Sequence, residues 1–341
     1  MKLNKAENTM KDTYKKAMCI AACVLGVSLV SWTTWRLLPS SADEMRRCAV
    51  VVSATSWYEV TVDGKPLLYF AESDADSAVY NVTTDRKKAL HRSFSTGVWT
   101  NDWLLMPSCK GRLVTISHAP SDVLRGSADS TIIRLCREAV TARLRDINKQ
   151  KSELNYYMRV HNVQDYGYQE VAALDTRVNR AYAEAERVLQ LIDSITDGNH
   201  GVFVKTHHEY TAIYRSAEGK LVRTPLRLVG SVDGMALLQT ADGKTPDGVA
   251  AVSLLPWNMD DDCEARAVGF PTIGEEGMEC DTVSAQILPM QVEQGRKHRL
   301  PRMLGSDGTP VFSTKGRFIG MVCGDTIATR RAIRRILNFE W

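Results

Sequence analysis

Residues 305–321 read GSDGTPVFSTKGRFIGM, short apolar runs punctuated by glycines at 305, 308, 316 and 320. Glycine at such intervals breaks helices and marks turns between strands. The same texture extends upstream. Segments 202–205, 210–215, 221–229, 235–239 and 249–254 read as strands, with turns at Glu218-Gly219, Asp233-Gly234 and Asp242-Gly243. Nearer the start, 48–53 and 57–62 read as strands closed by a turn at Asp63-Gly64, and 71–92 is polar and irregular. From Ser93 short β segments return, with turns at Asn101-Asp102 and Lys110-Gly111. Many short strands at such spacing predict a sandwich or a barrel. Downstream, 327–339 reads as a closing helix whose Arg330, Arg331, Arg334 and Arg335 form a basic face. A solvated face is the plain reading; anionic lipid or a partner is the sharper one.

One region departs from this texture. Between about 130 and 195 there is no proline, and Gly167 alone interrupts. Apolar residues fall at Ile133, Cys136, Val140, Leu144, Ile147, Leu154 and Met158, then at Val171, Leu174, Val178, Ala181, Ala185, Val188, Ile192 and Ile195. Steps of three and four residues make a near-heptad seam. With a break at 161–167, this predicts an antiparallel helical hairpin with arms of about 30 residues, or ~45 Å. The seam is read as the two arms packing on each other; a partner-binding coiled coil is the alternative.

Composition places limits on function. The chain has 341 residues, 44% hydrophobic and 24% charged, with a net charge of +3. Lys2, Lys5, Lys11, Lys15 and Lys16 against Glu7 and Asp12 account for the whole excess, so the remaining residues balance. A body without basic surplus argues against a general nucleic-acid binder. From Ala17 to Trp35 there is no charged residue, and Trp32 and Trp35 stand at the far end. Nineteen residues of helix nearly span the ~30 Å hydrocarbon core. The lysines before it set the N-terminus in the cytoplasm and the body outside. The expectation is a single-pass transmembrane signal anchor at 17–38 in the cell (inner) membrane, with the main domain periplasmic or extracellular. A signal peptide cut after Ser40-Ser41-Ala42 competes with it. A lipoprotein box at Ile20-Ala21-Ala22-Cys23 falls too early in the apolar run.

Outside the apolar run lie Cys48, Cys109, Cys136, Cys263, Cys280 and Cys323, an even set that permits disulfides in an oxidising compartment. Cys263 and Cys280 flank a predicted hairpin and are the first pair to test. No Cys/His spacing typical of zinc occurs. Asp260-Asp261-Asp262 reads as a solvated turn rather than a cation site, so no metal or cofactor is expected. The run 296–302, RKHRLPR, is a basic loop that an acidic partner would suit, although a plain exposed loop is the simpler reading.

Taken with its surroundings, 305–312 resembles the nucleophile loop of the trypsin-like serine peptidases, G-D-S-G-x-P-[LV], and 316–321 the strand pair that follows it. Three further segments occur in the matching order. Thr96-Gly97-Val98-Trp99 and 103–109, WLLMPSC, resemble the strand and histidine loop. Residues 228–238, LVGSVDGMALL, resemble the catalytic-aspartate strand. Gly269-Phe270-Pro271 before 282–288 resembles a turn and strand of Deg/HtrA-type members, which a closing helix also fits. The resemblance covers about 46–125 and 199–341 and implies a mainly β, trypsin-like double β-barrel. The helical hairpin, 126–198, is an insertion that the family pattern lacks. A basic tail, 1–16, and the transmembrane helix precede the barrel domain.

The catalytic positions depart from the family. Ser108 stands where the resemblance puts the general-base histidine, and Gly234 where it puts the orienting aspartate, with Asp233 one residue early. Asp307 takes the place of the nucleophilic serine, preceded by Ser306. Acyl transfer needs a hydroxyl activated by a base titrating near neutrality and oriented by a carboxylate. Ser108 cannot take that proton. At Asp307 a carboxylate would face the backbone N–H groups of Gly305 and Asp307, the family's oxyanion-hole loop, where the transition state must develop negative charge. A relocated site using Ser306 with His118, His207 or His208 requires the hydroxyl within about 3 Å of an imidazole.

The resulting expectation is a membrane-anchored, exported pseudopeptidase of trypsin-like fold that binds or scaffolds a protein or peptide partner. The alternative is an active serine endopeptidase with a displaced or non-standard site. In a third reading the hairpin is an oligomerisation element.

Overall fold

In a computed structural model, the described residues are 18, 23–28, 40–73, 78–101, 110–116, 129–196, 200–254, 264–270, 284–293, 296–301 and 305–337. Most of 17–38 therefore lies outside them. Among the described residues no helix is long and apolar enough to cross a membrane.

The protein is mainly β, with a closed six-strand barrel plus helices. A short helix α1 (Ala42–Cys48) leads into β1 (Ala49–Val62), β2 (Lys65–Phe70), β3 (Glu72–Ser73), β4 (Val79–Tyr80), β5 (His91–Asn101) and β6 (Arg112–Ile116). Helices α2 (Asp129–Val160) and α3 (Tyr168–Thr196) follow. Then come β7 (Val202–Arg215), β8 (Leu221–Val232), β9 (Met235–Thr240), β10 (Val252–Ser253), β11 (Glu264–Gly269) and β12 (Gln286–Gln291). The chain finishes with β13 (Pro310–Ser313), β14 (Phe318–Cys323), β15 (Thr326–Thr329) and α4 (Arg330–Leu337).

One sheet runs β10-β5-β6-β9-β8-β7-β1-β2, and a further β5–β1 pairing closes its six inner strands into the barrel. A second sheet runs β12-β11-β13-β14-β15. The predicted strands at 48–53 and 57–62 are one strand, β1, and Cys48 ends the helix before it. Likewise 202–205 and 210–215 merge into β7. Ser53, Thr55 and Ser56 suggest a break locally, but pairing with neighbouring strands supplies the backbone bonds and carries the strand through.

The chain divides into two compact units. The first comprises residues 1–53, 94–117 and 210–341. Its main core joins Val51, Val98, Val114 and Leu237 of the barrel strands to Phe312, Phe318 and Met321 of the second sheet. Ile333, Ile336 and Leu337 of α4 and Met45 of α1 plug the same cluster, which leaves Arg331 and Arg335 exposed on the opposite arc of the helix, with Arg330 and Arg334 half-buried.

The second unit comprises 54–93 and 118–209. The two helices form the predicted hairpin, with a break at 161–167. Ile133, Cys136, Val140 and Ile147 meet Val178, Ala185, Val188, Ile192 and Ile195 in one core, as the periodicity requires. Ile132 and Leu135, off that seam, are buried too, because the same core includes Tyr58, Val60, Leu68, Phe70, Val79 and Val82. Towards the tip the seam opens: Leu174 is exposed and Leu154 only half-buried. An ion pair from Lys88 to Glu184 ties the 3-10 turn at Arg86–Ala89 to α3.

Candidate functional site

The loop 305–309 is held by a buried network of hydroxyl and backbone groups within the first unit. The hydroxyls of Ser306 and Thr96 share a hydrogen bond of 2.8 Å. The Thr96 N–H donates to the carbonyl of Asp307 at 3.0 Å, so β5 grips the loop through both side chain and backbone. The Thr115 hydroxyl of β6 donates to the Thr96 carbonyl at 2.8 Å and stands 2.9 Å from the Ser95 hydroxyl, which therefore donates to it. Thr309 closes the loop on itself, donating from its backbone and its hydroxyl to the Ser306 carbonyl at 3.1 and 2.6 Å. Ser95, Thr96, Thr115 and Thr309 are all buried. Polar groups so placed must find partners, and here they find one another.

Gly308 explains why the loop can sit so close to β5. Its φ is +87°, and a Cβ there would lie 1.7 Å from the Thr96 carbonyl oxygen. Only glycine combines that backbone conformation with that approach. Its N–H donates to the Val322 carbonyl at 2.8 Å, which ties the loop to β14 as well.

The carboxylate of Asp307 accepts the backbone N–H of Gly324 at 2.9 Å. On the other side of Gly324, His298 Nε2 lies 3.1 Å from the carbonyl. The Leu300 N–H donates to His298 Nδ1 at 3.2 Å, which makes Nδ1 the acceptor and puts the ring proton on Nε2. Both imidazole nitrogens are thus committed to backbone groups. Cys323, next in the chain to Gly324, has its thiol pKa raised, first by burial and then by the Asp307 charge. A thiol held protonated in this way is a poor nucleophile.

The other predicted positions fall elsewhere. Asp233 (φ +51°) and Gly234 (φ +74°) are the two residues of a tight turn joining β8 to β9, beyond the Val232–Met235 pair. Two successive positive φ angles are what a two-residue hairpin with native twist needs. Both residues are exposed, and among the described residues no hydrogen bond or ion pair joins Asp233 to the 305–309 loop. His207, in the second unit, stacks its ring on Trp57 with centroids 5.0 Å apart. Arg86 covers Trp57 at 4.2 Å and pairs with Glu209. Ser108, His118, Cys109, Cys263, Cys280 and the 260–262 aspartates lie outside the described residues. Of the basic loop, Arg299 pairs with Glu293 at 2.6 Å.

The structure therefore joins Ser306 and Asp307 to partners that sequence reasoning missed, Thr96 and Gly324, and through Thr96 to Ser95 and Thr115, while the Gly305 N–H donates to the Pro301 carbonyl. The one signal for them was the pair Ser95-Thr96 set between Phe94 and Val98 of β5. Chemically the loop is a satisfied hydrogen-bonding unit. Among the described residues no imidazole reaches Ser306, and no group of three His, Cys, Asp or Glu side chains could hold a metal ion.

No protein-family model matches the chain, and no curated protein matches it. Among solved structures it is similar to Deg5, at 11% identity and a TM-score of 0.33, covering 82% of this chain and 85% of that one. It is also similar to the HtrA-type protease AlgW with a decapeptide, at 10% identity and a TM-score of 0.32, covering 87% of this chain and 67% of that one. An AlgW variant with a tripeptide is matched at 10% identity and a TM-score of 0.32, over 86% of this chain but 62% of that one, less than two thirds of its length.

Proposed function

We propose that this chain is a membrane-anchored, exported pseudopeptidase: a trypsin-like domain that has kept the loop architecture of a serine peptidase and uses it to bind a protein or peptide partner. The observation that carries this reading is the bonding of the 305–309 loop. The hydroxyl of Ser306, the one serine in the loop, is bound to Thr96 rather than to a base. The carboxylate at 307 is bound to the Gly324 N–H. Acyl transfer needs an activated nucleophile and an empty pocket for the developing oxyanion. Here Ser306 has no base and the Gly305 N–H is given to the Pro301 carbonyl at 3.3 Å, yet the loop remains pinned to two sheets. Such pinning suits a recognition surface built on a rigid frame.

A fluorophosphonate probe applied to the full chain tests the reading. The expected result is no labelling at any serine under conditions that label an active serine peptidase. Covalent labelling at Ser306 or any other serine would overturn it in favour of an endopeptidase with a displaced site. The hairpin is the second candidate surface for a partner. Removing residues 130–196 and measuring the mass in solution tests whether it also holds an oligomer together.

A further inference from the structure

The seam that joins the two arms of the hairpin leaves the opposite arc of α2 uncovered near its tip. At about 100° per residue, Arg145, Lys149, Tyr156 and Val160 share an arc of roughly 60°, and the seam residues Ile147, Leu154 and Met158 share the arc opposite. Tyr156 is 72% exposed and Val160 61%. In the turn beyond them Val163 is 63% exposed and Tyr166 wholly so, and Leu174 is exposed where α3 leaves the tip. Single exposed apolar side chains are ordinary on a protein surface. These are not scattered: outside 17–38 the described residues include eight large exposed apolar side chains, and five of them fall between 156 and 174.

The turn that presents them is bonded throughout. The Asp165 carboxylate accepts the Asn162 N–H at 2.9 Å and lies 3.2 Å from His161 Nδ1. The His161 ring stacks on Tyr157 with centroids 4.1 Å apart, and the Tyr168 N–H donates to the Asp165 carbonyl at 3.2 Å. A surface fixed in advance loses less entropy when it is bound. Charge is divided between the two sides of this turn. Residues 143–159 carry Arg143, Arg145, Lys149, Lys151 and Arg159 against Asp146 and Glu153. Residues 160–176 carry Asp165, Glu170 and Asp175 and no lysine or arginine. Lys151 lies over the Tyr182 ring at 4.3 Å, and Asp175 accepts the Asn179 amide at 2.8 Å. Among the described residues Arg145, Lys149, Arg159 and Glu170 form no ion pair.

We propose that the hairpin tip binds the tip of a second copy of this chain, the two α2 stripes crossing antiparallel about a two-fold axis between Tyr156 and Val160. This rests on the reading of the hairpin as a partner surface, not on the pseudopeptidase reading of the 305–309 loop. A two-fold axis makes every contact twice, so the surface has to complement itself, and this one does. Lys149 lies about 10 Å back along the helix from Tyr156, so it and Arg145 run past the end of the other copy's α2 to the acidic turn at 161–170. A lipid surface of one charge sign would attract one side of the turn and repel the other. The apolar side chains supply the attraction, while the charges set register and direction. Four tyrosines bury about 600–1,000 Å² between two copies. The valines and Leu174 carry the total towards the roughly 1,200 Å² at which specific interfaces begin, which makes the dimer weak and reversible.

Sedimentation equilibrium of the full chain in density-matched detergent, over a wide concentration range, tests this. Wild type is expected to pass reversibly from monomer to dimer. Tyr156→Ser with Val160→Ser, both at exposed positions, should raise the dissociation constant at least about tenfold with the circular dichroism unchanged. Two charge variants then examine the symmetry. Arg145→Glu with Lys149→Glu makes the stripe acidic, and Gln164→Lys with Gln169→Lys and Glu170→Lys makes the turn basic. Each alone should stay monomeric where wild type is dimeric. An equimolar mixture of the two should dimerise, because the stripe of each then meets a turn of opposite charge. A wild type that is monomeric throughout overturns the proposal and leaves the tip to a different protein or to lipid. A dimer indifferent to the serine substitutions overturns it too, since its interface then lies elsewhere. A mixture that fails to associate overturns the two-fold arrangement and the proposal with it. None of these variants touches 305–309, so this result and the fluorophosphonate result fail separately.

Discussion

The hydroxyl of Ser306 and the hydroxyl of Thr96 are 2.8 Å apart, joined by a hydrogen bond between residues 210 positions distant in sequence. That bond occupies the one serine hydroxyl of the loop and, with the Thr96 N–H to the Asp307 carbonyl, pins the loop to β5.

A double-mutant cycle measures the bond. Thr96→Val and Ser306→Ala each remove one partner and leave the other buried group short of a bond, at a cost of about 1–2 kcal/mol. The double variant is expected to recover about 1 kcal/mol of the summed loss. Urea unfolding of the four proteins reads this. Strict additivity would show that the two hydroxyls do not interact.

Gly308→Ala should be more damaging than either. The new methyl would meet the Thr96 carbonyl at a distance no real contact adopts, in a backbone conformation that L residues rarely take. A loss of about 3 kcal/mol or more is expected, seen as a large drop in Tm. A control at Gly234, with positive φ but open space around its Cβ, should lose only about 1 kcal/mol on the same change.

Acid should weaken the second unit through Asp63. Its carboxyl is held below the usual 3.8 by a hydrogen bond from His200 and then by the Gly201 N–H. A depressed folded pKa means the unfolded chain binds the proton more readily. The stabilisation is therefore complete above the unfolded value and fades as pH falls through the folded one. Asp63→Asn should flatten the loss of stability below about pH 4 while leaving the curve near pH 7 parallel to wild type. Unchanged acid behaviour in the variant would count against the His200 contact.

Thiol chemistry should rank Cys48, Cys136 and Cys323. Burial raises the pKa of the Cys136 thiol to about 12 and pushes Cys48 higher still. Cys323 is half-buried, with its pKa raised by burial and by Asp307. At pH 8 an alkylating reagent should modify Cys323 slowly and Cys48 and Cys136 only after unfolding, since the thiolate is the reacting form. Mass mapping of the labelled peptides decides the order. Fast labelling of Cys136 in the folded protein would mean that the hairpin core opens.

Much of the architecture was legible in the chain itself, because it depends on short-range periodicity. The 3.6-residue repeat of apolar positions marked both arms of the hairpin and its break at 161–167, since a helix satisfies its own backbone bonds and shows its buried face at fixed spacing. Asp-Gly at 63–64 and 233–234 marked tight turns for the same local reason. The strand count was less legible: 48–53 and 57–62 are a single β1, because a strand's bonds go to neighbours that no local window contains.

The candidate site divides in the same way. The sequence by itself determined the turns of 305–312, the identities of Ser108, Gly234 and Asp307 at the positions the resemblance assigns to catalytic groups, and the confinement of net positive charge to the first sixteen residues. Only the tertiary structure decided that Thr96 and Thr115 meet Ser306 and Gly308, and that Gly324 separates Asp307 from His298. Each of these is a contact between segments brought together by sheet closure, and hydrogen-bond partners across a fold leave no spacing rule behind in the chain.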